Sequence, residues 1–404
     1  MKHFHLRLLV VLLGATVGLA GAADVPRIID QDGPSQGVQP LALRELWRVG
    51  GEDEDVILGR IADVAMHPDG CLYVLDNQLC QVLVFSPEGD YLRAISRQGD
   101  GPGELRQPTG LVLLTDEVLG VGMGFPGKLV TMGTDGTPKG THHPVGAPAD
   151  RNLAVLISLQ YRDGVLGATG GRIVVEPDGR AYTERFLSVG EASLDEYHRI
   201  LETTTPFDFT GRVFVEVDRY YIDQRWAIGA GGRIYAPMRR DAYEISEFDP
   251  AGELVRVFGR RYEPRRRSDA DRSRVSPIIN PGTPSETDWT IDDHDECVSR
   301  IMVHPDDDTV WVMTPHGREE QPEDILECWD VFSPDGEYLR QVPIPLGHEM
   351  NEGTSYLVGG GRLVVVRGMG TSFNAREQAG EEESEPLELI CYSMGGDARA
   401  TARR

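Results

Sequence analysis

The feature that most constrains this chain is a unit that occurs twice, far apart in the sequence. Its first copy runs Asp63-Val-Ala-Met-His-Pro-Asp-Gly70, Leu72-Tyr-Val-Leu75, Gln81-Val-Leu-Val-Phe85, Ser86-Pro-Glu-Gly89 and Tyr91-Leu-Arg-Ala-Ile95. The second runs Ile301-Met-Val-His-Pro-Asp-Asp-Asp308, Val310-Trp-Val-Met313, Trp329-Asp-Val-Phe332, Ser333-Pro-Asp-Gly336 and Tyr338-Leu-Arg-Gln-Val342. Each copy reads as four short strands. Apolar residues alternate or run for a few positions, β-branched and aromatic residues are frequent, and Asp-Gly or Pro-x-Gly closes each hairpin.

Weaker copies lie between and after these two. Turn glycines ahead of each expected fourth strand count them as Gly89, Gly136, Gly179, Gly252, Gly336 and Gly396, and the first turns fall at 67–70, 115–117, 161–164, 230–232, 304–308 and 359–361. The two sets agree on six units of roughly 64 residues, longer than common propeller blades because several loops are long. The expected fold is all-β, a six-bladed β-propeller with four-stranded antiparallel blades. The last unit has no fourth strand of its own, while residues 41–49 (LALRELWRV) form an orphan strand ahead of the first unit. That strand is expected to close the ring as the outer strand of the last blade, because an open ring would expose sheet edges. On this reading residues 23–40 are a linker, 41–396 the propeller and 397–404 a tail.

The motifs His67-Pro-Asp-Gly70, Leu72-Tyr-Val-Leu-Asp76 and Phe85-Ser-Pro-Glu-Gly-Asp-Tyr-Leu92, followed by Gly99-Asp-Gly-Pro-Gly-Glu-Leu105 and Pro108, resemble those of bacterial six-bladed β-propellers with NHL-like repeats. The resemblance spans about 41–396. It implies a fold used for binding or scaffolding more often than for catalysis. Blades two and three depart from the pattern, and the Gly-Pro-Gly-Glu-Leu loop occurs once.

Residues 1–22 read as a secretory signal: Lys2 and Arg7 flank an apolar stretch from Leu8 to Leu19, and Ala20-Gly21-Ala22 offers small residues for cleavage. The apolar stretch is too short to span a bilayer. The mature protein is therefore expected to be a soluble monomer, periplasmic or secreted, without membrane insertion. A net charge of −25 argues against nucleic acid as a partner. The five cysteines are an odd number, so disulfides do not define the fold. Cys71 and Cys80 flank a turn but sit out of register for a bridge.

In an up-and-down blade, the first-to-second and third-to-fourth turns emerge on one face of the disc, and the remaining connections emerge on the other. The longer loops, 98–108, 144–152, 189–223, 260–297, 314–324 and 368–386, all belong to the second face, which is the expected recognition face. The candidate ligand-binding residues there are Asp100, Glu104, Arg260, Arg265, Arg266, Arg267, Trp289, His316 and Arg318. Residues 256–274 hold eight arginines against Glu263, Asp269 and Asp271, a basic island in an acidic protein. An acidic ligand or an acidic loop of the protein itself, such as Glu381 to Glu383 with Glu385, could dock on it. Ser193 and Glu196 fit a capping box and predict a short helix over 197–201.

Catalytic signatures fail. Gly122-Met-Gly-Phe-Pro-Gly-Lys128 imitates a phosphate loop, but Leu129 stands where a hydroxyl should hold magnesium, and the loop leads into a strand. His142, His143, His316 and His348 are the candidate metal ligands on the loop-rich side, without any local ligand spacing. His67 and His304 occupy equivalent turn positions. Tyr73, Phe85, Trp226, Tyr235, Trp311, Trp329 and Phe332 are expected to fill the spaces between blades. The leading expectation is an exported, non-catalytic propeller without a cofactor, binding a protein, peptide or glycan. One alternative is a metal-dependent lyase or lactonase using zinc or calcium at the central channel. Another is a structural module of a cell-envelope complex.

Overall fold

The computed structural model describes residues 25–51, 56–145, 154–191, 196–207, 213–279, 288–347, 353–368 and 387–395. Six antiparallel sheets succeed one another along the chain. Blade one is Ile61–Met66, Leu72–Asp76, Gln81–Phe85 and Tyr91–Ile95. Blade two is Pro108–Thr115, Val118–Met123, Lys128–Gly133 and Pro138–His142. Blade three is Ala154–Arg162, Val165–Val175, Ala181–Glu191 and Tyr197–Pro206. Blade four is Ala227–Ile228, Ile234–Ala236, Glu244–Phe248 and Leu254–Arg260. Blade five is Arg300–Val303, Val310–Met313, Glu327–Phe332 and Tyr338–Ile344. Blade six is Thr354–Gly359, Arg362–Arg367 and Glu388–Met394, completed by Leu43–Gly50.

The closing strand pairs antiparallel from Leu43 opposite Met394 to Gly50 opposite Glu388. The expected closure of the ring is thus present, and the fold is a six-bladed β-propeller. Packing explains why it holds. Successive side chains on a strand point to opposite faces of the sheet, so Tyr73 and Leu75 of blade one pack toward Leu119 and Val121 of blade two, while Leu72 and Val74 pack back toward Val364 and Val366 of blade six. Six such apolar layers alternate with the six blades. The seven strand aromatics singled out in the sequence are all buried in them, Tyr73 being the most accessible at 3%.

The repeat motifs encode the turns. Ser86 Oγ accepts the N–H groups of Glu88 and Asp90 at 3.2 and 3.1 Å, and Ser333 Oγ accepts those of Asp335 and Glu337 at 3.2 and 3.1 Å. Gly89 has φ +97°, and a Cβ there would lie 2.6 Å from Cγ of Trp47, on the closing strand. Only glycine serves both the turn and the close approach.

Three sequence expectations need correction. Residues 197–201 lie in a strand, because Tyr197–Pro206 alternates half-buried and exposed positions and pairs with Ala181–Glu191. Pairing along a whole edge outweighed the local capping signal. Gly179 turns the chain between the second and third strands of blade three, so it marks the loop-rich face and not the short-turn face. Residues 25–40 are more than a linker. Arg27–Asp30 adds to blade four as a fifth strand, parallel to Leu254–Arg260, and the N–H groups of Ser35, Gln36, Gln39 and Leu41 donate to carbonyls of Tyr338, Leu339, Gln341 and Pro343 on blade five. The four-residue strand is too brief to leave a periodic signal.

The expected signal segment, Ser193, Gly396, the tail, the 381–385 acids and His348 lie outside the described residues. Among the described residues no helix is long and apolar enough to cross a membrane. All five cysteines are free.

Candidate functional site

The first strand of every blade lies innermost, and its start faces the loop-rich side. The channel these strands surround holds a cavity of about 720 Å³. Its lining comes from the inner strands of blades one, two, three, five and six, together with Asn77, Gln224, Ser299 and Arg318 from connections on the loop-rich side and Met313 and Glu327 at the adjoining strand ends of blade five. Three side chains give the cavity its character: Asp63 of blade one, Arg300 of blade five and Tyr356 of blade six.

Asp63 and Arg300 are equivalent in the repeat. Asp63 pairs with Leu75 and Arg300 with Met313, and each stands four residues before its turn histidine. The Asp63 carboxylate accepts the N–H of Leu111 at 2.8 Å and that of Val64 at 2.9 Å. Burial pushes its pKa up to about 6, against the pull of those two donors and of the Arg300 charge. The Arg300 guanidinium stacks 5.4 Å from the ring centroid of Tyr356 and 5.8 Å from that of Trp329. Burial raises the Tyr356 phenol above its ordinary range, with Arg300 opposing. Arg318 also reaches the cavity, but its charge is engaged: Nη1 lies 2.7 Å from the fully buried Glu327, which accepts from Trp329 Nε1 and Ser355 Oγ as well.

The other candidates from the sequence do not line this cavity. Arg265 and Arg267 line a smaller cavity of about 220 Å³ that shares Ser299 and Arg318 with the channel. Both arginines are held in ion pairs, Arg265 with Asp271, Asp295 and Glu320, and Arg267 with Glu216 and Asp295, at 2.5 to 3.0 Å. Acids of the segment 292–296 thus take up part of the basic run, Asp295 pairing with both arginines and Asp293 with Arg272, while Glu216 and Glu320 supply the rest of the partners of Arg265 and Arg267 beyond Asp271. The backbone N–H and the side-chain O–H of Ser268, then Arg265, hold the Asp271 carboxyl down to about 2. Arg266 is exposed.

Arg260 and His316 share a third cavity, about 640 Å³, between residues 30–34 and blades four and five. Arg260 donates to the buried Asp330 at 2.7 Å, and that carboxylate also accepts from Tyr243, Tyr338 and Gln341. His316 bridges Glu320 and the carbonyl of Glu263. Trp289 packs on Phe214 with ring centroids 4.7 Å apart. Asp100 and Glu104 sit on the rim beside the outer strand of blade two, paired with Arg106 and Arg97. His142 ends that same outer strand. Among the described residues no group of three His, Cys, Asp or Glu side chains is placed to hold a metal ion.

Sequence reasoning thus found Arg318 but missed Asp63, Arg300 and Tyr356. A signal existed: the two clearest repeats put opposite charges at one equivalent position on otherwise apolar inner strands.

A family model described as a 6-bladed beta-propeller, DUF5128, matches residues 52–131. No curated protein matches the chain. Among solved structures, a member of the DUF4221 family from Bacteroides vulgatus is similar at TM-score 0.52 and 10% identity, over 89% of this chain and 99% of that one. The calcium-binding protein regucalcin from Agrobacterium tumefaciens has TM-score 0.43 and 9% identity, over 90% of this chain and 97% of that one. Virginiamycin B lyase from Staphylococcus aureus has TM-score 0.40 and 10% identity, over 87% of this chain and 99% of that one. The likeness to the DUF4221 member, at 10% identity, is one of fold alone, and the family model and the sheet order agree on a six-bladed propeller.

Proposed function

We propose that this chain is an exported, non-catalytic propeller of NHL-like repeats that recognises a protein, peptide or glycan through its loop-rich face, with the channel mouth at the centre of the site. One observation carries the reading: a polar cavity of about 720 Å³ on the loop-rich side of a rigid ring, within the size range of small-ligand sites. Arg265 and Arg267 line the neighbouring cavity, which shares Ser299 and Arg318 with the channel, and this adjacency supports contact with a ligand larger than the channel.

The test uses a plug. A Cβ on Gly110, an inner-strand residue of blade two, would lie 3.6 Å from both Asp63 Oδ2 and Leu159 Cβ, an ordinary contact. A bulky side chain there extends into the channel and leaves the outer loops alone. Arrays of peptides and glycans probed with the wild-type protein and with Gly110→Phe should show capture by the first and its loss in the second, at matched melting temperature. Equal capture by both would move recognition away from the channel.

A further inference from the structure

We infer that the channel mouth binds its ligand by a carboxylate group, clamped by the guanidinium of Arg300. The inference rests on the binding reading above and names the chemistry of the group that enters. The two cationic side chains in the cavity differ in state. Arg318 is bound to Glu327, whereas Arg300 makes no ion pair and no side-chain hydrogen bond among the described residues, and its guanidinium lies over the rings of Tyr356 and Trp329. Stacking occupies the flat faces of a guanidinium and leaves its N–H edge free. That edge presents a fork matching the two oxygens of a carboxylate, a pairing that gains strength where water is partly excluded.

Three neighbours narrow the class. Asp63 acts on the same site from blade one, so a second negative charge on the bound group would be repelled, and a single carboxylate is favoured over a phosphate dianion. Ser299 Oγ is buried without a hydrogen-bond partner among the described residues, and Gln224 lines the same cavity, so hydroxyl or amide groups next to the carboxylate would find polar contacts. The cavity volume suits a unit of about two sugar or amino-acid residues. The shared chemistry is a monocarboxylate flanked by hydrogen-bonding groups, available from a uronic acid or from a peptide terminus.

Calorimetric titration of the full mature chain separates these sources and tests the inference. The probes are the methyl glycoside of galacturonate and the dipeptide alanyl-alanine with its amino group acetylated, each a monocarboxylate and each beside its neutral amide. At least one acid should bind, at least about tenfold tighter than its amide; which acid does so identifies the source. Arg300→Gln should abolish that preference, Arg300→Lys should restore part of it, and Arg44→Gln on the rim should leave it intact. Equal binding of acid and amide by the wild-type protein, or failure of both acids, overturns the carboxylate inference without need of any variant. Neutral glycans or peptides that bind and are displaced by the Gly110→Phe plug would then leave the binding reading standing. Ligands indifferent to the plug would remove that reading too.

Discussion

Asp63 shows what a single residue contributes to a repeat fold. Its neighbours on the inner strand serve the packing between blades, but its own side chain enters the channel and is held by two backbone N–H groups. The folded chain keeps the Asp63 proton up to a pH of about 6, while an unfolded aspartate releases it near 3.9. A group with a raised folded pKa stabilises the fold in its protonated form, so stability is lost as pH climbs from about 4 to about 6 and stays low above that. The loss is on the order of 2–3 kcal/mol. Asp63→Asn cannot ionise, so urea unfolding at pH 4 and pH 7 should show the stability gap moving in the variant's favour by about that amount. A gap independent of pH would mean that the carboxyl is not strained by its site. The residue was plain in the sequence, yet a charge on an inner strand looks like any other repeat position until the ring brings Arg300 to the same cavity.

At the scale of elements, the strap formed by residues 25–41 and the closing strand Leu43–Gly50 divide the work of fastening the ring. The closing strand was legible because an eight-residue alternating segment faced an obvious vacancy in the last unit. The strap was not, since its contacts are parallel backbone bonds to Val257–Arg260 and to Tyr338–Pro343 that demand little of the side chains. The two should fail differently. Removing residues before Leu41 deletes several edge hydrogen bonds, each worth about 1 kcal/mol net, and should lower the melting temperature while leaving a folded ring. Removing residues through Gly50 exposes the edge of Glu388–Met394 and should yield an aggregating product. Equal stability of the two truncated chains by calorimetry would contradict this division. Blade three shows the opposite weakness of sequence reading: a capping box suggested a helix where strand pairing won.

Across the whole molecule, six apolar layers between blades leave the disc rigid and concentrate its chemistry at the channel mouth. In a chain of net charge −25, Arg300, which has no ion pair among the described residues, is the exceptional cation, and the basic run at 256–274 is not, because Glu216, Asp295 and Asp330 already take up much of its charge. Repeat counting revealed the blade number and which face carries the long loops. It could not reveal which charges face each other across the axis, since that depends on residues brought together from blades one, five and six. A crystal structure of the complex with whichever acid binds tests recognition at the channel mouth most directly. Its carboxylate should lie about 3 Å from the Arg300 guanidinium nitrogens, inside the channel; a ligand seated instead on the rim beside Asp100 and Glu104, or along the outer arginines, would contradict it.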